Sequence, residues 1–173
     1  MRLLLDRYPS PLGALLLVTD TDATLRALEF ATHEPRLHRL LNSHYPTHTL
    51  EPAPAPAHIT QALDAYFAGH LDSLAAIPTA TNGTPFQKSV WHALRQIPPA
   101  TTITYAQLAA NIARPSASRA VGAANSQNPI PIVIPCHRVI GANNTLTGYA
   151  SGLKNKHALL AHESKHAPTF ALH

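Results

Sequence analysis

A single cysteine, Cys136, stands in the 173 residues of this chain. One sulfur excludes an intramolecular disulfide and a structural zinc site built on several thiolates. Charge is also sparse. Asp, Glu, Lys and Arg make up 13% of the residues, and no Lys/Arg run occurs, so nothing here acts as a polybasic tail. No apolar stretch reaches the 18 or so residues of a membrane-spanning helix. The opening Met1-Arg2-Leu3-Leu4-Leu5-Asp6 meets a charge too early for the apolar region of a secretion signal. A lone thiol without such a signal predicts a reducing, cytoplasmic setting.

What is present suffices for a core. Apolar residues make up 45% of the chain, and the net charge is +4 with a pI near 9.5. That surplus is compatible with a polyanionic partner and equally with simple solubility.

Residues 2–8, 13–19 and 24–30 read as short strands. They are separated by Pro9-Ser10-Pro11-Leu12 and Asp20-Thr21-Asp22-Ala23, and the second and third form a hairpin. Leu37, Leu40 and Leu41 predict a short helix over 34–41. The run Glu51-Pro52-Ala53-Pro54-Ala55-Pro56 predicts an extended connector, because alternating prolines suit neither helix nor central strand. Ile59, Leu63, Tyr66 and Phe67 fall at helical spacing, and 77–83 reads as a linker. A strand-rich domain over 1–80 and a second domain over 81–173 are expected.

The second half carries stronger punctuation. Thr84-Pro85-Phe86-Gln87 is a capping box with proline at the first helical position. It opens a helix that buries Phe86, Val90, Trp91 and Leu94, and Pro98-Pro99 ends it. Thr104-Tyr105-Ala106-Gln107 repeats the cap for a helix with Leu108, Ala109 and Ile112 inward, broken at Arg114-Pro115. Ser116 is expected to cap a third helix over 117–126. These last two helices have helix-turn-helix spacing. The third is nearly bare, with Arg119 its only long side chain among Ala117, Ser118, Ala120, Gly122, Ala123 and Ala124. So thin a helix suits tight packing against a neighbour, or close approach to a DNA groove. Asn128-Pro129 predicts a turn, and 130–135 an extended run into the cysteine.

Cys136 is either a buried, inert hydrophobe or a reactive thiol. Its neighbours favour the second reading, since an adjacent imidazole or cation promotes the thiolate, and His137 and Arg138 follow it directly. The segment His162-Glu163-Ser164-Lys165-His166 spells the zincin pattern H-E-x-x-H. No third ligand follows at the required spacing, and no metal site is assigned. A Cys-His hydrolase would need an oxyanion hole, for which the flanking sequence offers nothing.

Six segments in consecutive order carry a family resemblance. They are Ile103-Thr104-Tyr105-Ala106-Gln107-Leu108-Ala109, Arg119-Ala120-Val121-Gly122-Ala123-Ala124-Asn125, Asn128-Pro129, Ile134-Pro135-Cys136-His137-Arg138-Val139-Ile140, Thr147-Gly148-Tyr149-Ala150 and Leu159-Leu160-Ala161-His162-Glu163. Over about residues 84–163 the chain resembles the O6-alkylguanine-DNA alkyltransferases. The resemblance implies an α/β (α+β) chain: a small ribonuclease-H-like N-terminal domain, then a mostly helical winged helix-turn-helix domain. It implies single-turnover repair of double-stranded DNA carrying O6-alkylguanine, with O4-alkylthymine left open as a second lesion. No cofactor is needed, and a monomer is expected.

By the same resemblance Cys136 takes the alkyl group, His137 is its base through a bridging water, and Glu163 orients that imidazole. Tyr105 donates toward the leaving guanine or a nearby phosphate. Arg119 fills the space left by the flipped base, with Ser118, Ala120, Asn125 and Ser126 beside it on the DNA-binding helix. Asn128 fixes the turn before the cysteine, and Arg138 braces the site. Backbone groups at Cys136, Val139 and Ala150 read the guanine, and Tyr149 walls its pocket. Three departures stand out. Ser151 replaces a frequent glycine at the alkyl pocket, His157-Ala158 replaces a Glu-Trp pair, and Ser126 is uncharged where some relatives are basic. A non-catalytic lesion-sensing protein is the alternative on the same scaffold.

Overall fold

The computed structural model describes residues 1–167. Its N-terminal half is one four-stranded sheet in the order β3-β2-β1-β4. β1 (Arg2–Ser10), β2 (Gly13–Asp20) and β3 (Leu25–Phe30) form an antiparallel meander. The strand β2 is apolar at every position from Leu15 to Val18, because both of its faces are covered. Leu15 and Leu17 point toward α2 (Ala57–Phe67) and the second half of the chain, while Leu16 and Val18 point toward α1 (Glu34–His44).

The sheet has one strand that the sequence did not suggest. Residues Thr49–Pro52, at the start of the proline-rich stretch, form β4 and pair in parallel with β1. The site is an edge, where a missing proline N–H costs little. The expected connector therefore begins only after Pro52. The 77–83 linker is also partly structured. It lies along the free edge of β3, with Leu25 N donating to Pro78 O and Ala80 N to Leu25 O, which protects that edge from pairing with another chain.

In the second half, α3 (Pro85–Leu94) and α4 (Tyr105–Asn111) both begin with capping boxes in which the Thr and Gln side chains reciprocate. The third helix, α5 (Ser118–Ser126), differs from expectation at its start: Ala117 occupies the cap position and no side chain caps it. Its inward residues Val121 and Ala124 pack against α3 and α4, and the Trp91 indole donates to Ala124 O at 2.9 Å. The short β5 (Ile103–Thr104) pairs in parallel with β6 (Val139–Ile140), and α6 (Leu153–Lys165) closes the chain over the cysteine segment.

The two halves share one core. Buried residues of the sheet and α2 are continuous with Val90, Trp91, Leu108, Ile130 and Leu159. One polar strut crosses the same boundary. Arg36 on α1 donates to Glu29 at 2.7 Å and to the carbonyls of Ser126 and Asn128 at 2.7 and 2.8 Å. A guanidinium at the C-terminus of α5 also complements the helix dipole.

Candidate active site

The segment before the cysteine is a compact coil of turns, in place of the extended run expected over 130–135. Ile132 sits at φ 74, a left-handed conformation that disfavours a β-branched side chain and costs roughly 1–3 kcal/mol. Ile134 N donates to Ile130 O, and Val133 N to Pro131 O. Asn128 staples the coil from within: its Nδ2 donates to Ile134 O at 2.8 Å, and its Oδ1 accepts from Ile130 N at 3.0 Å. The side chain is wholly buried, so removing it would leave Ile130 N without a partner and Ile134 O held by Cys136 N alone.

This coil delivers Cys136 to the first position of a 3-10 turn, Cys136–Arg138. The turn sends the three side chains in different directions. The sulfur lines a cavity of about 330 Å3 together with Arg36, Tyr105, Asn125, Tyr149 and Ser151. His137 points behind the cysteine, where its Nε2 lies 2.7 Å from Glu163 Oε2. Arg138 grips the same carboxylate from the other side, with Nε to Oε1 at 2.8 Å and Nη2 to Oε2 at 3.0 Å, and its Nη1 donates to Ile97 O. Glu163 also accepts from the Tyr66 hydroxyl at 2.6 Å and from Ala100 N at 3.1 Å.

The electrostatics follow from burial and these partners. Burial pushes the Glu163 carboxyl up, but the hydrogen bonds and charge of His137 and Arg138 outweigh it and hold the group ionised. Burial lowers His137 below its ordinary 6.5, against the opposing pull of Glu163. The resting imidazole is therefore neutral. With Nε2 donating to Glu163, its Nδ1 is a free lone pair, and no protein group bonds it. Burial also raises the Cys136 thiol, and Asn128, Arg36, Tyr149 and Lys156 offset this only in part. The two cations after Cys136 in sequence thus do not make a resting thiolate, because Arg138 is spent on Glu163. The arrangement is a protonated thiol followed in the chain by a neutral imidazole whose Nε2 is held on an ionised carboxylate.

The remaining expected residues divide by face. On α5, Arg119 and Ala120 are exposed, Ser118 is half-buried and Ser126 is exposed. Asn125 departs from this group: it is buried and turns into the cavity. Tyr105 is half-buried at the cavity wall against Gly122. The Tyr149 hydroxyl is buried without a hydrogen-bond partner, raised by burial and by the neighbouring sulfur. Val139 is buried in β6, Ala150 is exposed at the cavity rim, and Ser151 is buried beside it. In the H-E-x-x-H segment the residues part company. His162 Nε2 bonds Tyr66 O and His166 Nδ1 bonds His162 O, whereas Glu163 turns inward. Among the described residues, no three His, Cys, Asp or Glu side chains gather as a metal site.

Two further residues near the site, Lys156 and Arg36, belong to none of the motifs above. Lys156 is fully buried, and its Nζ donates to Val139 O at 2.6 Å, Thr147 O at 3.1 Å and Gly148 O at 3.4 Å. It thereby ties the 147–148 loop to β6. The signal was available: Lys156, Leu159 and Glu163 are spaced three and four apart on one helical face. Arg36 left no such trace, because the carbonyls it holds near the site, those of Ser126 and Asn128, lie some 90 residues away.

A sheet-based domain is joined to a helical one, and a buried His137–Glu163 pair lies next in the chain to a cysteine that lines a pocket with residues of a thin helix. Comparison with known proteins agrees in both halves. Residues 4–81 match the ribonuclease-like domain, and residues 85–165 the DNA binding domain, of 6-O-methylguanine DNA methyltransferase. The chain belongs to this family. It is 50% identical over 165 residues to the methylated-DNA--protein-cysteine methyltransferase of Salmonella typhimurium, covering 94% of this chain and 96% of that one. The protein of the same name from Methanosarcina acetivorans is 46% identical over 153 residues, covering 88% and 93%. Among solved structures, Mycobacterium tuberculosis O6-methylguanine methyltransferase superposes with a TM-score of 0.80 at 38% identity, covering 97% of this chain and 96% of that one. Mycobacterium tuberculosis OGT in complex with DNA gives a TM-score of 0.78 at 38% identity, with the same coverage. Among the described residues, no helix is long and apolar enough to cross a membrane.

Proposed function

We propose that this protein repairs double-stranded DNA by taking the alkyl group of O6-alkylguanine onto Cys136, once per molecule. The observation that carries the reading is the relay behind the sulfur, in which Glu163 is fixed by Arg138 and Tyr66 and orients His137 beside a pocketed thiol. Sγ attacks the alkyl carbon, a C–S bond forms as the C–O6 bond breaks, and the electron pair leaves on guanine. The thiol proton passes, through a bridging water, to His137 Nδ1, and the imidazolium is stabilised by Glu163. Tyr105 supplies a hydrogen bond to the departing base, which lowers the barrier to its release. The thioether has no leaving route, so the site is consumed.

A stacked base cannot reach a thiol this deep, so the target nucleotide is extruded. A cavity of about 330 Å3 falls in the range of small-molecule sites. The thin, exposed face of α5 suits the minor groove, with Arg119 entering the space the base leaves. The chain acts as a monomer in a reducing compartment, the condition a single working thiol requires.

The test is mass spectrometry after incubation with duplex DNA holding one O6-methylguanine. One methyl appears on the Cys136 peptide with a stoichiometry near one, and Cys136→Ala binds the lesion duplex without transfer. Methyl on another residue, or continued turnover, overturns the reading.

A further inference from the structure

Three donors converge on one oxygen of the relay carboxylate. Glu163 Oε2 accepts from the Tyr66 hydroxyl at 2.6 Å, from His137 Nε2 at 2.7 Å and from Arg138 Nη2 at 3.0 Å. The other oxygen, Oε1, takes Arg138 Nε at 2.8 Å and Ala100 N at 3.1 Å. Tyr66 is the member that the N-terminal half supplies. It stands on α2, 97 residues from Glu163 in the chain, and is fully buried. Its place is fixed from the helix that carries Glu163: His162 Nε2 donates to Tyr66 O at 2.8 Å, and the two ring centroids lie 5.0 Å apart. The first histidine of the H-E-x-x-H segment thus bears on the relay through Tyr66. Burial and the adjoining carboxylate hold the Tyr66 phenol above its ordinary range, so it stays a donor wherever the protein works.

An oxygen shared among donors gives less to each. Every hydrogen bond to the carboxylate draws charge from it and weakens its hold on a proton at His137. We propose that Tyr66 is a positioning residue of the relay, its hydroxyl competing with His137 for Glu163 Oε2 and so keeping the imidazole neutral. This rests on the alkyl-transfer reading above and gives the N-terminal half a part in the chemistry. The ionisable groups that face the pair are Lys156 from α6, Arg138 and Cys136 from the cysteine turn, and Tyr66 from α2. Arg138 and Lys156 oppose a charge on His137, and both remain when the hydroxyl is removed. Without that hydroxyl Oε2 has two donors in place of three, the imidazolium is favoured, and His137 takes its proton at a higher pH. A tyrosine that only braces the fold acts differently, since its loss slows transfer by the same factor at every pH.

The experiment uses Tyr66→Phe, which removes the hydroxyl and keeps the ring. Two readouts are taken. The first is the titration of His137 by NMR of ring-labelled histidine, its signal assigned by its loss in His137→Gln. The second is the second-order rate of Cys136 methylation by duplex O6-methylguanine, on the neutral plateau and in the acid limb. In Tyr66→Phe the His137 midpoint moves up, and the ratio of variant to wild-type rate falls about threefold on passing from the plateau into the acid limb. A lower active fraction cancels, because both rates of each protein come from one preparation. His162→Ala, which loosens Tyr66 but leaves its hydroxyl, moves both readouts in the same direction by less. A His137 midpoint that stays in place or moves down in Tyr66→Phe, with a rate ratio equal at both pH values, overturns the role of Tyr66 and leaves alkyl transfer standing. Absence of transfer to Cys136 in the wild type instead removes the reading on which it rests.

Discussion

His137 Nε2 and Glu163 Oε2 are 2.7 Å apart, and neither side chain exposes any surface. The carboxylate is held in place before the imidazole needs it, by a bidentate Arg138, a Tyr66 hydroxyl and a backbone amide. Its partners come from α2, the loop after α3 and the cysteine turn, while Glu163 itself stands on α6. One anion therefore joins Tyr66 of the N-terminal half to the turn that carries Cys136.

Replacing that anion tests both its functions. Glu163→Gln keeps the shape but leaves the buried Arg138 guanidinium without a counter-charge. Removing one partner of a buried pair costs about 3–5 kcal/mol, readable as a lower urea midpoint. Transfer to Cys136 also slows sharply, since the imidazolium loses its stabilising charge. A variant as stable as the wild type would show that Arg138 does not depend on Glu163.

The rate of transfer depends on pH in a way set by two opposite displacements. Burial holds His137 below its ordinary 6.5 and the Cys136 thiol above its ordinary 9.0. Between those values the thiol stays protonated and the base stays neutral, so the competent pair has a constant population. The wild-type rate is expected to be flat from pH 6.5 to 9.0 and to fall only in more acid solution, as His137 takes a proton. In His137→Gln the thiol must ionise unaided, and the rate should climb about tenfold per pH unit through the same range. Parallel profiles for the two proteins would remove His137 as the base.

Much of this was legible in the chain, and the reason differs by residue. The capping boxes at Thr84 and Thr104 are local chemistry and were readable as such. Cys136, His137 and Arg138 are consecutive and could be singled out together, although their divergence on a 3-10 turn could not. Sequence spacing does not show that Ile132 takes a left-handed turn, because that conformation is imposed by Asn128 and the surrounding core. β4 was hidden because a proline-rich edge strand looks like a connector. The resemblance places Asn125 with Arg119 on the DNA-binding helix, whereas the structure buries it. Its real neighbours are set by the angle at which α5 packs, a tertiary property. Arg36 and Tyr66 reach the site from the other domain, beyond the range of any local pattern.

Arg119 is exposed on α5 and makes no hydrogen bond or ion pair among the described residues. If it occupies the gap left by an extruded base, it acts on duplex substrates and is idle toward a free base. Arg119→Ala is expected to slow repair of O6-methylguanine in duplex DNA roughly tenfold to a hundredfold, a few kcal/mol of unstacking no longer offset. Reaction with free O6-benzylguanine should change less than about twofold. Stopped-flow or quench assays on the two substrates give both numbers, and equal losses would assign Arg119 to general stability.

Ser151 stands at the mouth of the cavity, buried, with its carbonyl held by Asn155 Nδ2 at 2.7 Å and Gly152 at φ 97 immediately after it. The backbone there is already fixed, so the hydroxymethyl group is the part of Ser151 expected to narrow the space beside the sulfur. Ser151→Gly removes that group, and a difference of one small group in a pocket is worth roughly tenfold in discrimination. The variant should accept O6-benzylguanine about tenfold faster relative to O6-methylguanine, with the methyl rate little changed. The added backbone freedom should lower stability by about 0.5–1 kcal/mol. Competition between the two duplexes, read as methyl against benzyl on Cys136, measures the shift. An unchanged ratio would mean that Tyr149 and Ala150 set the opening without Ser151.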